Sequence, residues 1–155
     1  MLNKKISEFL RDREFISAAT CDFDGRPNAA PKFLLKVDGK SIYLVDYSLT
    51  KTWENLKINP RASLSFVDTD TLQGYQINGP VEMIEKGPAF DKMVNELREK
   101  EITLSADRII KGLHRDKSHE IFEVAIPEKL AILKVTIEEI TEISPKGELK
   151  KERYT

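Results

Sequence analysis

Apolar residues at the start of the chain follow a helical spacing. Leu2, Ile6, Phe9 and Leu10 recur at i, i+4, i+7 and i+8, and the positions between them are mostly polar or charged. This spacing predicts an amphipathic helix over residues 3–12 whose apolar face packs on a sheet.

The next part of the chain has the pattern of strands joined by tight turns. FISAATC (15–21), RPNAAPKFLLKV (26–37) and SIYLVDY (41–47) are rich in β-branched, aromatic or alternating apolar residues. Asp-Gly pairs at 24–25 and 38–39 separate them, and such pairs favour hairpin turns. We expect three consecutive antiparallel strands.

A short helix is predicted over residues 51–58, because Pro60 disfavours helical backbone at the residue before it. The pattern of RASLSFVD (61–68) and GYQINGPVEMIE (74–85) predicts two more strands. Within the second of these, the Gly79-Pro80 pair predicts a bulge or bend.

The last third of the chain combines helical and strand patterns. An apolar stripe predicts a helix over 88–100, and a weaker stripe over 106–113 is interrupted by a glycine. EIFEVAI (120–126) and KLAILKVTIEEITEI (129–143) alternate as strands do. Residues 146–155 are highly charged, and we expect this tail to fray.

Strands joined by short turns, with helices inserted between some of them, indicate a mainly β fold. The six or seven predicted strands favour an antiparallel barrel or sandwich over a parallel βαβ sheet. We therefore expect a single domain over residues 1–145, followed by the charged tail.

Composition narrows the classes of partner. The 155 residues include 25 basic and 26 acidic side chains, so the net charge of −1 offers no overall field for nucleic acid or a membrane. One cysteine, Cys21, and two histidines, His114 and His119, do not make a zinc-type ligand set. No apolar run approaches the roughly 20 residues that span a bilayer. We expect a soluble, cytoplasmic protein.

A cluster of hydroxyl groups and one lysine lies at the start of the short helix. The first N–H groups of a helix lack intrahelical partners and carry partial positive charge, so this position stabilises phosphate. Thr50, Lys51 and Thr52 add two hydroxyl groups and an ammonium there. The alternative is that Ser48 or a threonine caps the helix and Lys51 is solvated. The residues alone leave both interpretations open.

The segment PKFLLKVDGKSIYLVDYSLTKTWENLKINPRASLSF, followed by LQGYQINGPVE, resembles the flavin-binding split-barrel family that includes pyridoxamine 5'-phosphate oxidase. The resemblance covers roughly residues 15–87. Its most specific parts are the lysine-containing turn, Asn55-Leu56 and the run Asn59-Pro60-Arg61-Ala62. The run 34–36, Leu-Leu-Lys, is the next most specific.

The resemblance implies a six-stranded antiparallel split barrel of Greek-key type, forming a homodimer with FMN at the subunit interface. The FMN phosphate would bind at the lysine turn, and Asn55 would support the turn or the ribityl chain. The strand beginning at Lys32 would run along the flavin ring and offer backbone hydrogen bonds. The implied cofactor-binding residues are Lys32, Phe33, Leu34, Ser48, Thr50, Lys51, Thr52 and Asn55.

The chain also departs from the oxidase of that family. The classical enzyme has arginines where this chain has Pro31 and Thr50, and its C-terminal Arg/His substrate signature is missing from KGELKKERYT. The resemblance therefore implies an FMN-dependent oxidoreductase acting on some other small molecule, with Lys32 as a cation near the reduced flavin. No residue is nominated as catalytic, because the cofactor supplies the difficult chemistry.

Alternative functions stay open. The same fold could serve as a non-catalytic FMN carrier, electron-transfer module or sensor, could bind haem or a deazaflavin, or could bind no ligand. Residues 101–118 do not match the family pattern and could cover the substrate side.

Several single residues have two interpretations. Lys36 could contact substrate or end a strand in solvent. Trp53 could flank the flavin, fill the dimer contact or pack as a partly buried residue of the short helix. Cys21 is expected to be a buried, unreactive thiol, and the two histidines are expected to be surface residues.

Overall fold

The structure is a computed structural model that describes residue 2 and residues 4–113 and 126–154. Eleven elements follow one another along this part of the chain. They are α1 (Lys4–Arg11), β1 (Phe15–Cys21), β2 (Pro27–Asp38), β3 (Ser41–Asp46), α2 (Lys51–Ile58), β4 (Arg61–Asp68), β5 (Gln73–Ile84), α3 (Pro88–Leu113), β6 (Ala131–Thr136), β7 (Glu139–Ile143) and β8 (Leu149–Arg153).

The first six strands close into an antiparallel barrel. The strand order is β4-β1-β2-β3-β6-β5, and β5 pairs back with β4 to complete the ring. β7 and β8 extend the sheet from β5 as a further antiparallel pair. The predicted mainly β class, the six-stranded barrel and the run of three antiparallel strands at its start are confirmed.

Gly79 marks the point where β5 changes partner. Residues 74–78 pair with β7, whereas residues 81–84 pair with β6. A Cβ atom at Gly79 would overlap the backbone carbonyl oxygen of Thr136, so a side chain does not fit there. Of the predicted bulge or bend, the bulge is absent, since the register with β4 runs unbroken through this position. The bulge in the barrel lies in β2, between Leu34 and Lys36.

Two apolar cores hold the fold together. Alternate residues such as Leu34, Leu44 and Leu64 fill the barrel, and α1 packs on them through Ile6 and Leu10. The opposite side of β2, β3 and β6 forms a second core beneath α3. Its buried residues are Phe33, Leu35, Val45, Met93, Leu97, Leu130 and Ile132.

The two predicted helical pieces of the last third form one continuous helix, α3. Residues 101–105 connect them because they contain neither Gly nor Pro, and Gly112 is tolerated near the end. The predicted stripe over 106–113 does not face the core, since Ile109 and Ile110 are exposed. None of the helices in the described part of the chain has a stretch apolar enough to cross a bilayer.

The C-terminal expectations need two corrections. The predicted frayed tail contains β8, which pairs with β7 from Leu149 opposite Ile143 to Arg153 opposite Glu139. Its charged side chains are consistent with an edge strand that is paired on one side and solvated on the other. The alternating segment 129–143 is two strands, β6 and β7. Of EIFEVAI, residues 120–125 lie outside the described residues.

Candidate functional site

The start of α2 is not capped by a side chain. Thr50 occupies the N-cap position, and its hydroxyl makes no hydrogen bond to the helix backbone. It pairs instead with the Ser48 hydroxyl, with 3.1 Å between the two oxygens. The first helical bond runs from the Glu54 N–H to the Thr50 carbonyl. The N–H groups before Glu54 therefore have no partner within the helix.

Ser48, Thr50 and Lys51 are exposed together at this point, and we call these three residues the helix-start cluster. The Lys51 ammonium lies 3.7 Å from the Asp22 carboxylate, and its side chain is 48% exposed. A hydrogen bond from the backbone N–H of Arg26 lowers the pKa of Asp22, and the charge of Lys51 lowers it further. Asp22 is thus an anion that neutralises the one cation of the cluster.

Thr52 and Asn55 lie on the opposite side of α2, buried against the barrel. The Thr52 hydroxyl accepts a hydrogen bond from the Asn28 amide at 3.2 Å. The Asn55 amide donates to the Thr20 hydroxyl at 3.1 Å, and its carbonyl oxygen is buried without a protein partner. Both residues therefore attach α2 to β1 and β2 rather than extend the helix-start cluster.

Lys32 is buried inside the barrel, below the helix-start cluster. Its ammonium donates to Asp46 Oδ1 at 2.8 Å, and the Asp46 side chain is fully buried. Asp46 Oδ1 also accepts hydrogen bonds from the Ser48 N–H and hydroxyl, at 3.3 and 3.1 Å. Asp46 Oδ2 is buried without a protein partner.

Phe33 and Leu34 lie where β2 meets α3. The Leu34 N–H donates to the Glu14 carbonyl at 2.8 Å. The Leu34 and Leu35 carbonyls, at the β2 bulge, both accept from the Lys100 ammonium of α3. Burial lowers the pKa of Lys100. A ligand ring that bonded to these carbonyls would have to replace Lys100.

Further contacts hold α3 over this side of the barrel. Lys36 pairs with Glu96 at 2.8 Å, and the Tyr47 hydroxyl donates to Glu101 at 3.2 Å. Burial, with the Glu101 charge adding to it, raises the pKa of Tyr47. The helix thus covers the outer surface of β2 and β3 next to Phe33.

The other singled-out residues lie apart from the cluster. The Trp53 indole donates to Glu85 at 2.6 Å, and Lys57 stacks on its ring. Cys21 is not buried as expected: it is half-exposed, because it faces outward at the end of β1 and lines an open groove of about 440 Å³. His114 and His119 lie outside the described residues. Within the described part, no three His, Cys, Asp or Glu side chains are grouped as metal ligands.

The sequence predicted the helix-start cluster but not three charged residues that contact the predicted site residues. Asp22 contacts Lys51, and Lys100 contacts the Leu34 carbonyl, only because α2 and α3 pack on the sheet. Asp46 contacts Lys32 through the pairing of β2 with β3, although it lies only two residues before Ser48. One local signal existed for Asp46, since an acidic residue directly after the apolar run IYLV is unusual for a strand that is buried.

A closed six-stranded antiparallel barrel, with an exposed and uncapped helix start beside it, has the architecture of a split barrel. The description of the family model that matches residues 2–144 is pyridoxamine 5'-phosphate oxidase. The chain belongs to this family of pyridoxamine 5'-phosphate oxidase-like, FMN-binding proteins.

Solved structures share the fold at low sequence identity. HupZ from Group A Streptococcus is 19% identical, with a TM-score of 0.65 over 94% of this chain and 96% of its own. A Clostridium acetobutylicum protein related to general stress protein 26 is 21% identical, with a TM-score of 0.64 over 96% and 92%. A pyridoxamine 5'-phosphate oxidase-related, FMN-binding protein from Nostoc punctiforme is 13% identical, with a TM-score of 0.57 over 96% and 91%. No curated protein matches the sequence.

Proposed function

We propose that the protein binds FMN and acts as a flavin-dependent oxidoreductase on a small molecule. The observation that carries this proposal is the uncapped start of α2, where Ser48, Thr50 and Lys51 are exposed together. Membership of the family supports it, as does similarity to a structure described as FMN-binding.

The phosphate end of FMN fits this helix start. The free N–H groups, the Lys51 ammonium and the Thr50 hydroxyl can donate, and phosphate offers only acceptors. The Ser48 hydroxyl already donates its one proton to Asp46. Each charge-assisted hydrogen bond to phosphate contributes about 1.5–3 kcal/mol. On binding, the Lys51 ammonium would leave the Asp22 carboxylate and pair with the phosphate, so it would keep an anionic partner.

The ring end would lie along β2 and β3. Bound FMN would supply transfer of a hydride or of single electrons, and this explains a site without a nucleophile or a pair of catalytic carboxylates. The chain's own residues would position the ring and exclude water. Lys32 is bonded to Asp46 inside the barrel, so Lys100 is the cation better placed to serve a ligand at the outer surface of β2.

The assembly we propose is a homodimer with FMN in the groove between subunits, in the cytoplasm. A small-molecule substrate and an electron donor complete the reaction. The near balance of 25 basic and 26 acidic residues supports a small-molecule ligand rather than nucleic acid or a membrane surface.

A second candidate is a non-catalytic FMN carrier or electron-transfer module. The coverage of β2 and β3 by α3 favours it, because Tyr47–Glu101 and Lys100–Leu35 contacts leave little open surface for a substrate. Reduction of bound flavin by NADH or NADPH would distinguish the oxidoreductase from the carrier.

The test of FMN binding is a visible absorption spectrum of the purified protein, before and after FMN addition and gel filtration. We expect a retained flavin band of about one per chain. A protein that stays colourless after FMN addition would contradict the proposal. A Soret band would indicate that the same fold binds haem instead of FMN. A deazaflavin spectrum would indicate that it binds a deazaflavin.

A further inference from the structure

A continuous chain of polar contacts connects the barrel interior to the start of α2. It runs from the Lys32 ammonium to Asp46, from Asp46 to the Ser48 hydroxyl, and from Ser48 to the Thr50 hydroxyl. Its first two members are buried and its last two are exposed. The chain therefore ends at the helix-start cluster.

The turn at the end of this chain has an unfavourable backbone conformation. Leu49 has a φ of 47°, in the left-handed region that non-glycine residues rarely adopt. Such a residue keeps its conformation only where its neighbours enforce it. Here the Leu49 side chain packs on the barrel core, and the Ser48 N–H is bound by Asp46.

Asp46 holds this turn with a single oxygen atom. Its Oδ1 accepts from the Lys32 ammonium, the Ser48 N–H and the Ser48 hydroxyl. Lys32 holds the carboxylate from the barrel interior, and the carboxylate in turn holds the N–H and the hydroxyl of Ser48. Neither Lys32 nor Asp46 is exposed enough to contact a ligand at the helix start, since both are at most 6% exposed.

We propose that Asp46, held by Lys32, is a positioning residue that sets the Ser48–Thr50 turn in the geometry that receives the phosphate of the ligand. This inference rests on the proposed FMN function and deepens it. Charge alone would give Asp46 the opposite effect, because a carboxylate near a phosphate weakens its binding.

The test compares FMN with riboflavin, which has the same ring but no phosphate. The main variant is Lys32→Met/Asp46→Leu, which replaces the buried pair by apolar residues of similar size. Such replacements usually preserve or increase stability, because the cost of burying two charges disappears. We expect an unchanged or higher unfolding temperature, an FMN affinity at least tenfold lower, and a riboflavin affinity changed less than twofold.

A second variant keeps the test valid if the double variant does not fold. Asp46→Asn preserves the shape of the side chain while weakening its hold on Ser48, and folding is checked by circular dichroism. We expect it to lose FMN affinity selectively. In a cycle with Ser48→Ala, the two changes should together cost less FMN affinity than the product of their separate effects, since Asp46 acts through Ser48.

The outcomes separate the inference from the function on which it rests. Wild-type protein that binds riboflavin as tightly as FMN, or binds neither, would refute the phosphate site and the inference together. Wild-type preference for FMN that persists in both variants would refute the inference alone. Equal loss of FMN and riboflavin affinity would also refute it, because that is the effect of a general structural role.

Discussion

Lys51 is the only member of the helix-start cluster with a full charge, and its importance can be measured directly. Lys51→Ala should lower FMN affinity by roughly tenfold or more, since one charge-assisted contact to phosphate is lost. Folding should be unaffected, because the side chain is exposed. The measurement is a fluorescence titration with FMN.

The matched control is Lys57→Ala. Lys57 lies in the last turn of the same helix and stacks on Trp53, away from the helix start. We expect its loss to leave FMN affinity within about twofold. If Lys51→Ala does the same, the phosphate binds elsewhere.

In the proposed site, Asp22 would compete with phosphate for Lys51, so its charge should weaken FMN binding. Asp22→Asn keeps an oxygen that can accept from the N–H groups of Asp24 and Arg26, so the turn is preserved. We expect FMN to bind about threefold more tightly in calorimetry at low salt, and the gain to shrink as salt screens the charges. Weaker binding would mean that Asp22 orients Lys51 rather than opposing the ligand.

At the scale of the element, β5 depends on one glycine. Gly79→Ala would force a Cβ atom into the Thr136 carbonyl where β5 passes from β7 to β6. Backbone must shift to relieve the overlap, and we expect a loss of more than about 3 kcal/mol in the free energy of unfolding. Urea denaturation measures it.

Gly112→Ala is the matched control for that substitution. A Cβ atom at Gly112 meets nothing within 4 Å, and the residue lies in the last turn of α3. Alanine is the better helix former, so we expect a change between zero and about 1 kcal/mol toward higher stability. A comparable loss at both positions would show that the overlap at Gly79 is not the cause.

The helices differ in how far their patterns predicted them. The bounds of α2 were predicted as observed, because Pro60 ends it locally. The predicted stripe over 88–100 does face the core, with Met93 and Leu97 buried. The full length of α3 was not predicted, because Glu96, Lys100 and Glu101 hold it on the sheet through polar contacts. A search for apolar residues at helical spacing does not detect such polar contacts.

At the scale of the whole molecule, the outer surface of β1 and β4 is where we expect the proposed second copy to bind. The outward residues of β1 and β4 are small and uncharged where the strands pair, with Ser17 opposite Ser65 and Ala19 opposite Ser63. In a chain with 33% charged residues, such a surface is unusual. Depletion of charge is typical of the centres of protein interfaces.

The predicted homodimer can be tested on that surface. Light scattering after gel filtration should give twice the mass of one chain for the wild type. Ala19→Arg should yield a folded monomer with weakened FMN binding, since a buried interface does not accept an unpaired charge. Ala106→Arg, on the exposed side of α3, should remain a dimer. A monomeric wild type would contradict the prediction.

The sequence by itself determined the fold class, most strand bounds and the helix-start cluster. The alternation of apolar and polar residues, the Asp-Gly turns and Pro60 each act over a few residues, so their effects can be predicted from the local sequence. Only the tertiary structure decided which lysine is available to a ligand. Lys32 and Lys51 are alike as residues, yet β2–β3 pairing buries one against Asp46, while the other stays exposed beside Asp22. Burial and charge pairing depend on neighbours that are distant in sequence. Local sequence patterns do not show which residues those neighbours are.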